Sequence, residues 1–376
     1  MTTTAPPIAV FASFSGKGGV ERMLVNLMRG FVDTGRRVDL LLVRTDSPYL
    51  EHLPDAVRRI ELGASHTFLA IPALARWLRS ERPAALLAAK DRAGRAAVLA
   101  RSLAGTDTRL VLRLGTNLST AMAGRSALDR ALRYAPIRSL YPRLDHVVAV
   151  SDGVASDTAA ISRLPGQRIT VIRNPVVTPE LDELAAAPCP HPWLADPASD
   201  APPVIIGAGR LQRQKDFPAL LRAFAELRSI RPCRLLILGE GRGRGALQDR
   251  VTTLGLRLGV DGDVDLPGHQ TNLYCHLARA ALFVLSSAWE GSPNVLTEAL
   301  ALGTPVVSTD CPSGPREILQ HGRYGPLVPV GDPAALAAAM AHTLDHPLPA
   351  AELKQAVAEY TQAASAARYL RVLDDR

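Results

Sequence analysis

The sequence predicts an α/β protein built as two Rossmann-like domains that face each other across a cleft. Three observations carry that expectation. Apolar strand-like runs alternate with helical stretches in two successive series, a proline-rich stretch lies between the series, and 376 residues exceed one ordinary core. The composition, 47% apolar and 21% charged, is that of a globular chain. No uninterrupted apolar run reaches membrane-spanning length. Residues 8–12 are too short for a signal-peptide core and lack a basic lead-in, so a cytoplasmic protein is expected.

The first series opens with a strand over residues 8–14, the loop Ser15, Gly16, Lys17, Gly18, Gly19, and a helical pattern over 20–34. Lys17 and the glycines could cradle phosphate, but no Gly-Lys-Ser/Thr follows, so the Walker pattern fails. A loop approached closely by a ligand or by the facing domain fits better. Further strands are expected at 38–43, 84–88, 110–114, 146–150 and 169–172. Between them, residues 123–144 interleave Arg125, Arg130, Arg133, Arg138 and Arg143 with Leu128, Leu132, Tyr134, Ile137, Leu140 and Tyr141. That pattern suits an interfacial helix touching anionic lipid, or a solvated helix face plus a loop broken at Pro136.

Residues 186–203 are rich in proline and lack periodicity, so an interdomain linker is placed there, after a first domain over 1–185. The second domain, 204–356, has strand signals at 204–208, 234–238, 263–266, 281–285 and 304–308, with helices at 217–229 and 246–254. A helical pattern over 357–373 closes the chain.

Charge is unevenly placed. The net +7 arises from residues 1–183, which hold 25 Lys/Arg against 17 Asp/Glu, while the remainder carries 18 against 19. The first half should therefore meet something anionic. Cys189, Cys233, Cys275 and Cys311 form no C-x-x-C pair, and no histidine stands at zinc spacing, so buried free thiols are expected and a disulfide framework or metal site is not.

The chemistry concentrates between residues 207 and 303. The stretch Ala288 to Gly303 sets Glu290 and Glu298 either side of a short turn made by Gly291, Ser292, Pro293 and Asn294, after an apolar strand and at the opening of a helix. Pro293 suits the first helical turn and Ser292 the cap before it. A helix start at the mouth of a sheet binds anions, and two carboxylates beside it suit hydroxyl groups attached to that anion, a description of a phosphorylated sugar. Arg210 and Lys215, five residues apart after the 204–208 strand, could neutralise a diphosphate without a metal. Gly241, Gly243 and Ala246 satisfy only the looser dinucleotide pattern, and glycine turns often just close a β-α connection. Asp261, Asp263 and Asp265 offer an Asp-x-Asp spacing but stand directly before Leu266-Pro267-Gly268, as a structural turn would. No Gly-x-Ser-x-Gly elbow occurs, and Cys311 has no identifiable base. His269 is a polar loop residue or a ligand contact.

Together these residues resemble family 4 of the retaining glycosyltransferases (GT4), whose fold is GT-B. The resemblance rests on Gly18-Gly19 followed by Val20-Glu21-Arg22, on Gly209-Arg210-Leu211 with Lys215-Asp216-Phe217, on Glu290 and Glu298 with seven residues between, and on residues 311–319 with Tyr324-Gly325-Pro326. It implies that Arg210 and Lys215 hold the donor diphosphate and stabilise the leaving charge. It implies that amides over Gly291, Ser292, Pro293, Asn294, Val295 and Leu296 meet sugar and phosphates, that Glu290 accepts from sugar hydroxyls and Glu298 from the ribose, and that the base lies near Gly268 and His269, with Gly18, Gly19, Gly209 and Glu240 lining the donor. Lys17, Thr116 and Asn117 are the candidate acceptor or sugar contacts. Many relatives carry a histidine after the strand corresponding to 110–114, where this chain has Thr116 and Asn117. The resemblance further implies a hexose or N-acetylhexosamine moved from a nucleotide diphosphate, UDP by preference, to the hydroxyl of a lipid-linked or cell-envelope glycan, without a metal and with no nucleic-acid partner. A last helix returning to the first domain, and a peripheral contact of the basic N-terminal half with the inner membrane face, complete the expectation. A nucleotide-sugar epimerase or hydrolase of the same fold, or a non-catalytic nucleotide-binding protein, are the alternatives.

Overall fold

Each strand-helix alternation in the sequence becomes a parallel β-α unit in the computed structural model, which describes residues 7–16, 18–195 and 201–375. Lys17 lies outside the described residues. The chain divides into two compact units, the first formed by residues 1–176 and 359–376 and the second by 177–358.

The first unit runs β1 (Ile8–Phe14), α1 (Gly19–Asp33), β2 (Val38–Thr45), β3 (Val57–Glu61), α2 (Ile71–Glu81), β4 (Ala85–Ala89), α3 (Asp91–Ala104), β5 (Arg109–Leu114), α4 (Leu118–Ala121), α5 (Ala127–Leu140), β6 (His146–Ala149), α6 (Asp152–Ser162) and β7 (Ile169–Val171). Its sheet order is β3-β2-β1-β4-β5-β6-β7, every pairing parallel. The order reverses at β1 and β4, the place where ligands of such sheets bind. The central strands are buried on both faces, which is why β1 and β4 read as continuous apolar runs rather than alternations. β3 escaped the sequence reading because only Val57 of its five residues is buried, so no apolar run marks it.

The second unit begins earlier than the proline-rich stretch suggested. It contains α7 (Leu181–Ala186) and α8 (Pro192–Ala195), then β8 (Val204–Ala208), α9 (Phe217–Ile230), β9 (Arg234–Leu238), α10 (Arg244–Thr253), β10 (Val264–Gly268), α11 (Tyr274–Leu277), β11 (Leu282–Leu285), α12 (Asn294–Ala301), β12 (Val306–Thr309), α13 (Pro315–Ile318), β13 (Leu327–Val328), α14 (Pro333–Asp345) and α15 (Ala350–Gln355). Residues 186–195 are thus not a free linker. Trp193 is buried and donates its indole N–H to the Val260 carbonyl at 2.7 Å, and His191 meets Asp265 at 3.0 Å. Pro188 follows the end of α7, and Pro192 opens α8. The sheet order is β10-β9-β8-β11-β12-β13, again parallel.

The last helix, α16 (Gln362–Asp374), packs in the first unit. Tyr369 meets Phe31 of α1 edge to face at 6.5 Å, Gln362 donates to Asp33 at 2.8 Å, and Arg36 pairs with Asp374 at 2.7 Å. Thr361 caps it by accepting the Ala364 N–H.

α5 corrects another expectation. It continues through Pro136 instead of breaking there, since Ile137 and Tyr141 after the proline are fully buried and the Tyr141 hydroxyl donates to Asp91 at 3.0 Å. Packing of that turn outweighs the hydrogen bond a proline removes. Among the described residues no helix is long and apolar enough to cross a membrane.

Candidate active site

The sequence stretch 286–290 leaves β11 apolar and emerges polar, and that change of character builds the site. Ser286 donates to the Lys215 carbonyl at 2.7 Å, and the Ala288 N–H donates to the Gln214 carbonyl at 2.8 Å, so the strand exit is laced to the loop before α9. That lacing brings Lys215 Nζ to 2.7 Å from Glu290 Oε1, with side chains only 14% and 9% exposed. Ser287 donates to the same oxygen at 2.7 Å, and Gln214 Nε2 donates to Glu290 Oε2 at 3.3 Å and to the Trp289 carbonyl at 3.0 Å. A carboxylate offers about four acceptor positions, so Glu290 retains room for one incoming hydroxyl, on the Oε2 side. Gln214 and Ser287 were missed in the sequence because an isolated polar residue in a loop carries no pattern. Their positions beside Lys215 and Glu290 were the available signal.

The backbone around Glu290 is held from the other side as well. Its N–H donates to the Pro312 carbonyl at 2.7 Å and its carbonyl accepts from Ser313 N–H at 3.1 Å. Gly314 sits at φ +102, where an added Cβ would stand 2.8 Å from Pro293 Cδ and 3.0 Å from the Gly291 carbonyl, so glycine is required by close approach. Gly291 and Pro293 are buried, whereas Ser292, Asn294 and Val295 are half-buried at the opening of α12 and Leu296 turns into the core. Pro293 proves to be the cap of α12, not its first residue, since its backbone is extended, and Ser292 stands one residue before the cap. Within this start the Leu296 N–H already donates to the Pro293 carbonyl at 3.1 Å. Glu298, one turn further along α12, is buried.

Three β-α turns of the second unit stack beside this helix start. Gly209 N–H donates to the Leu238 carbonyl, Gly239 N–H to the Gly268 carbonyl, and Leu211 N–H to the Glu240 carbonyl, each at 2.9 Å. Gly241 packs on Leu211 so tightly that a Cβ would lie 2.5 Å from its carbonyl oxygen, so the Gly241, Gly243, Ala246 pattern is a matter of backbone packing. Glu240 pairs with Arg244 at 2.7 Å, and that hydrogen bond holds its carboxyl below the usual range. His269 is exposed directly after β10. Arg210 is exposed and, among the described residues, enters no salt bridge. Cys311 is no nucleophile: burial, and then the nearby Glu290, push its thiol up to about 12. Asp263 is structural, pairing with Arg228 at 3.2 Å and accepting the Arg257 N–H at 3.0 Å.

In the second unit, residues 202–346 match the sequence profile described as Glycosyl transferases group 1; in the first, residues 17–179 match the one described as Glycosyltransferase Family 4. The chain belongs to these glycosyltransferases. A lipopolysaccharide core biosynthesis glycosyltransferase of Rhizobium meliloti is 27% identical over 343 residues, 89% of this chain and 87% of the relative. The N-acetylgalactosamine-N,N'-diacetylbacillosaminyl-diphospho-undecaprenol 4-alpha-N-acetylgalactosaminyltransferase of Campylobacter jejuni is 30% identical over 62% of this chain and 60% of its own. The matched stretch covers 33%, 60% and 40% of three such curated relatives. Among solved structures, Anabaena HepE in complex with UDP and glucose superposes with a TM-score of 0.78 at 18% identity, over 99% of this chain and 100% of that one. The glycosyltransferase fold is therefore GT-B.

In the first unit of this glycosyltransferase, the carboxyl edge of the sheet joins Glu21 of the glycine-loop motif to residues the sequence did not connect with it. Glu21, in the first turn of α1, meets Lys90 at 3.3 Å, and Lys90 takes a left-handed φ of +77 directly after β4. Arg113, fully buried near the end of β5, donates to Asn174 Oδ1 at 2.8 Å, and burial lowers its pKa. Gly18 caps α1 with extended backbone, and Gly19 opens the helix. Of the candidate contacts here, Thr116 is exposed, whereas Asn117 is spent as a cap: its Oδ1 accepts from Thr120 N–H, Thr120 Oγ1 and Ser119 Oγ.

Proposed function

We propose that this chain transfers a hexose or N-acetylhexosamine from a nucleotide diphosphate, UDP by preference, to a hydroxyl of a lipid-linked or cell-envelope glycan, with retention at the anomeric carbon and without a metal. The observation that carries the reading is the buried Lys215–Glu290 pair beside the start of α12, with exposed Arg210 on the neighbouring turn. Cations fixed in advance stabilise the diphosphate as the anomeric C–O bond breaks. The acceptor oxygen forms the new bond on the same face, and its proton passes to the departing phosphate oxygen. Glu290 orients a sugar hydroxyl, and Glu298 serves the ribose. The names of the relatives, lipopolysaccharide core and undecaprenol-linked transferases, support the envelope acceptor, and the UDP complex of HepE supports the nucleotide.

A thermal-shift panel of UDP, GDP, ADP and their sugars, without metal, tests the donor. Ligand at one hundred times its Kd adds about 2.7 kcal/mol, a readable shift. UDP and UDP-sugars should raise the midpoint of the wild type and fail to do so in Arg210→Ala. Donor consumed at full rate without acceptor would favour an epimerase or hydrolase instead.

The face of α5 that carries Leu128 and Leu132, 68% and 66% exposed, lies among Arg125 and Arg130, and this is the surface we assign to anionic lipid. Phosphatidylglycerol vesicles should retain the protein at low salt and phosphatidylcholine vesicles should not. Equal retention of a Leu128→Ser, Leu132→Ser variant would remove α5 from the contact.

A further inference from the structure

A second cluster of chemistry-bearing side chains lies in the second unit, where α11 meets the segment between α7 and α8. Cys189, Cys275 and His276 are all buried, and one potential ligand atom from each lies within 4.8 Å of the other two. The Asn272 main-chain carbonyl belongs to the same knot: it stands 3.0 Å from His276 Nδ1 and 3.4 Å from Cys275 Sγ, and those two atoms are 3.4 Å apart. Tetrahedral zinc with sulfur, nitrogen and oxygen ligands sets its ligand atoms roughly 3.3–3.8 Å from one another, within a few tenths of these spacings. We propose that Cys189, Cys275, His276 and the Asn272 carbonyl form a structural zinc site.

Charge supports the assignment. Binding follows Zn²⁺ plus two thiols giving a zinc dithiolate plus two protons, so the buried product carries no net charge and avoids the cost of an isolated buried ion. The cage is fixed before any ion arrives. Asn272 accepts the Tyr274 N–H at 3.0 Å and donates to the Leu184 carbonyl at 2.7 Å, while Arg279 bonds the carbonyls of Ala185 and Cys275, each at 3.0 Å. Among the described residues the enclosed Nε2 of the ring has no hydrogen-bond partner, so Nδ1 is the ring atom that meets the cluster. The absence of C-x-x-C spacing hid the site, because Cys189 and the Cys275–His276 pair come from segments far apart in sequence.

The full chain, kept reduced with a phosphine and stripped of metal, is titrated with Co²⁺ and then with Zn²⁺ against a chromophoric chelator. One Co²⁺ per chain should give thiolate-to-cobalt absorption, and Zn²⁺ should displace it with release of two protons. Cys275→Ser should weaken binding more than about a hundredfold. His276→Asn, whose amide can still donate to the Asn272 carbonyl, should do the same while preserving the far-ultraviolet circular dichroism, and Cys233→Ser should change nothing. A wild type without the charge-transfer band, a band that survives His276→Asn undiminished, or a Cys189–Cys275 disulfide in the protein as isolated overturns the proposal. None of these readouts depends on sugar transfer.

Discussion

The two sheets finish differently at their carboxyl edges. In the second unit the lysine at the mouth is buried with its carboxylate: Lys215 and Glu290 are 14% and 9% exposed, and Ser287 and Gln214 also donate to the carboxylate. In the first unit the corresponding ion pair is one-sided, with Lys90 48% exposed over a buried Glu21. A pair closed from water is stiff and electrically strong, because little solvent screens it, whereas a half-open pair is adjustable and weak. One edge holds a fixed charge and the other an adjustable one.

That contrast is broken or sharpened most sharply by matched substitutions. Glu290→Ala should lower kcat/KM by about 10²-fold, because it removes the group that orients the sugar hydroxyl and frees Lys215 from its fixed position. It also leaves Lys215 buried without its counter-ion, so the unfolding midpoint should fall. Lys90→Ala removes a half-exposed pair, and a urea melt should move by no more than about 1 kcal/mol. Steady-state kinetics and melts on both variants decide the matter. If Lys90→Ala costs as much stability as Glu290→Ala, the two mouths do not differ in the way their exposure indicates.

The same contrast explains what the sequence disclosed. The second mouth is assembled from two short stretches, 209–215 and 286–298, so Arg210, Lys215, Glu290 and Glu298 stood out by spacing alone. The first mouth draws Glu21, Lys90, Arg113 and Asn174 from four segments, and no local pattern joins them. Buried strands such as β1, β4 and β8 were legible because both faces are apolar, whereas β3, exposed along most of its length, was not. Proline misled twice, at 136 and in 186–195, since tertiary packing of Ile137, Tyr141 and Trp193 overrides a local break signal. At Pro293 the sequence placed the helix start one residue early.

Backbone packing at the second mouth offers the next test, smaller in scope because it reads stability alone. Gly239 stands at φ +143, and a Cβ there would come within 2.0 Å of the Gly209 carbonyl oxygen, main chain that cannot swing aside. Gly239→Ala should therefore cost about 2–4 kcal/mol, combining left-handed strain with a displaced turn. Gly245, six residues on and inside α10, has open space where its Cβ would be and should respond in the opposite direction, with Gly245→Ala gaining about 0.5–1 kcal/mol from the lower entropy of the unfolded chain. Opposite signs from two glycines of one sequence run would mean that the turns at 209 and 239 are held rigidly against each other, as a fixed charge at Lys215 requires. Equal, small effects would mean that these turns yield, and the second mouth would then be as adjustable as the first.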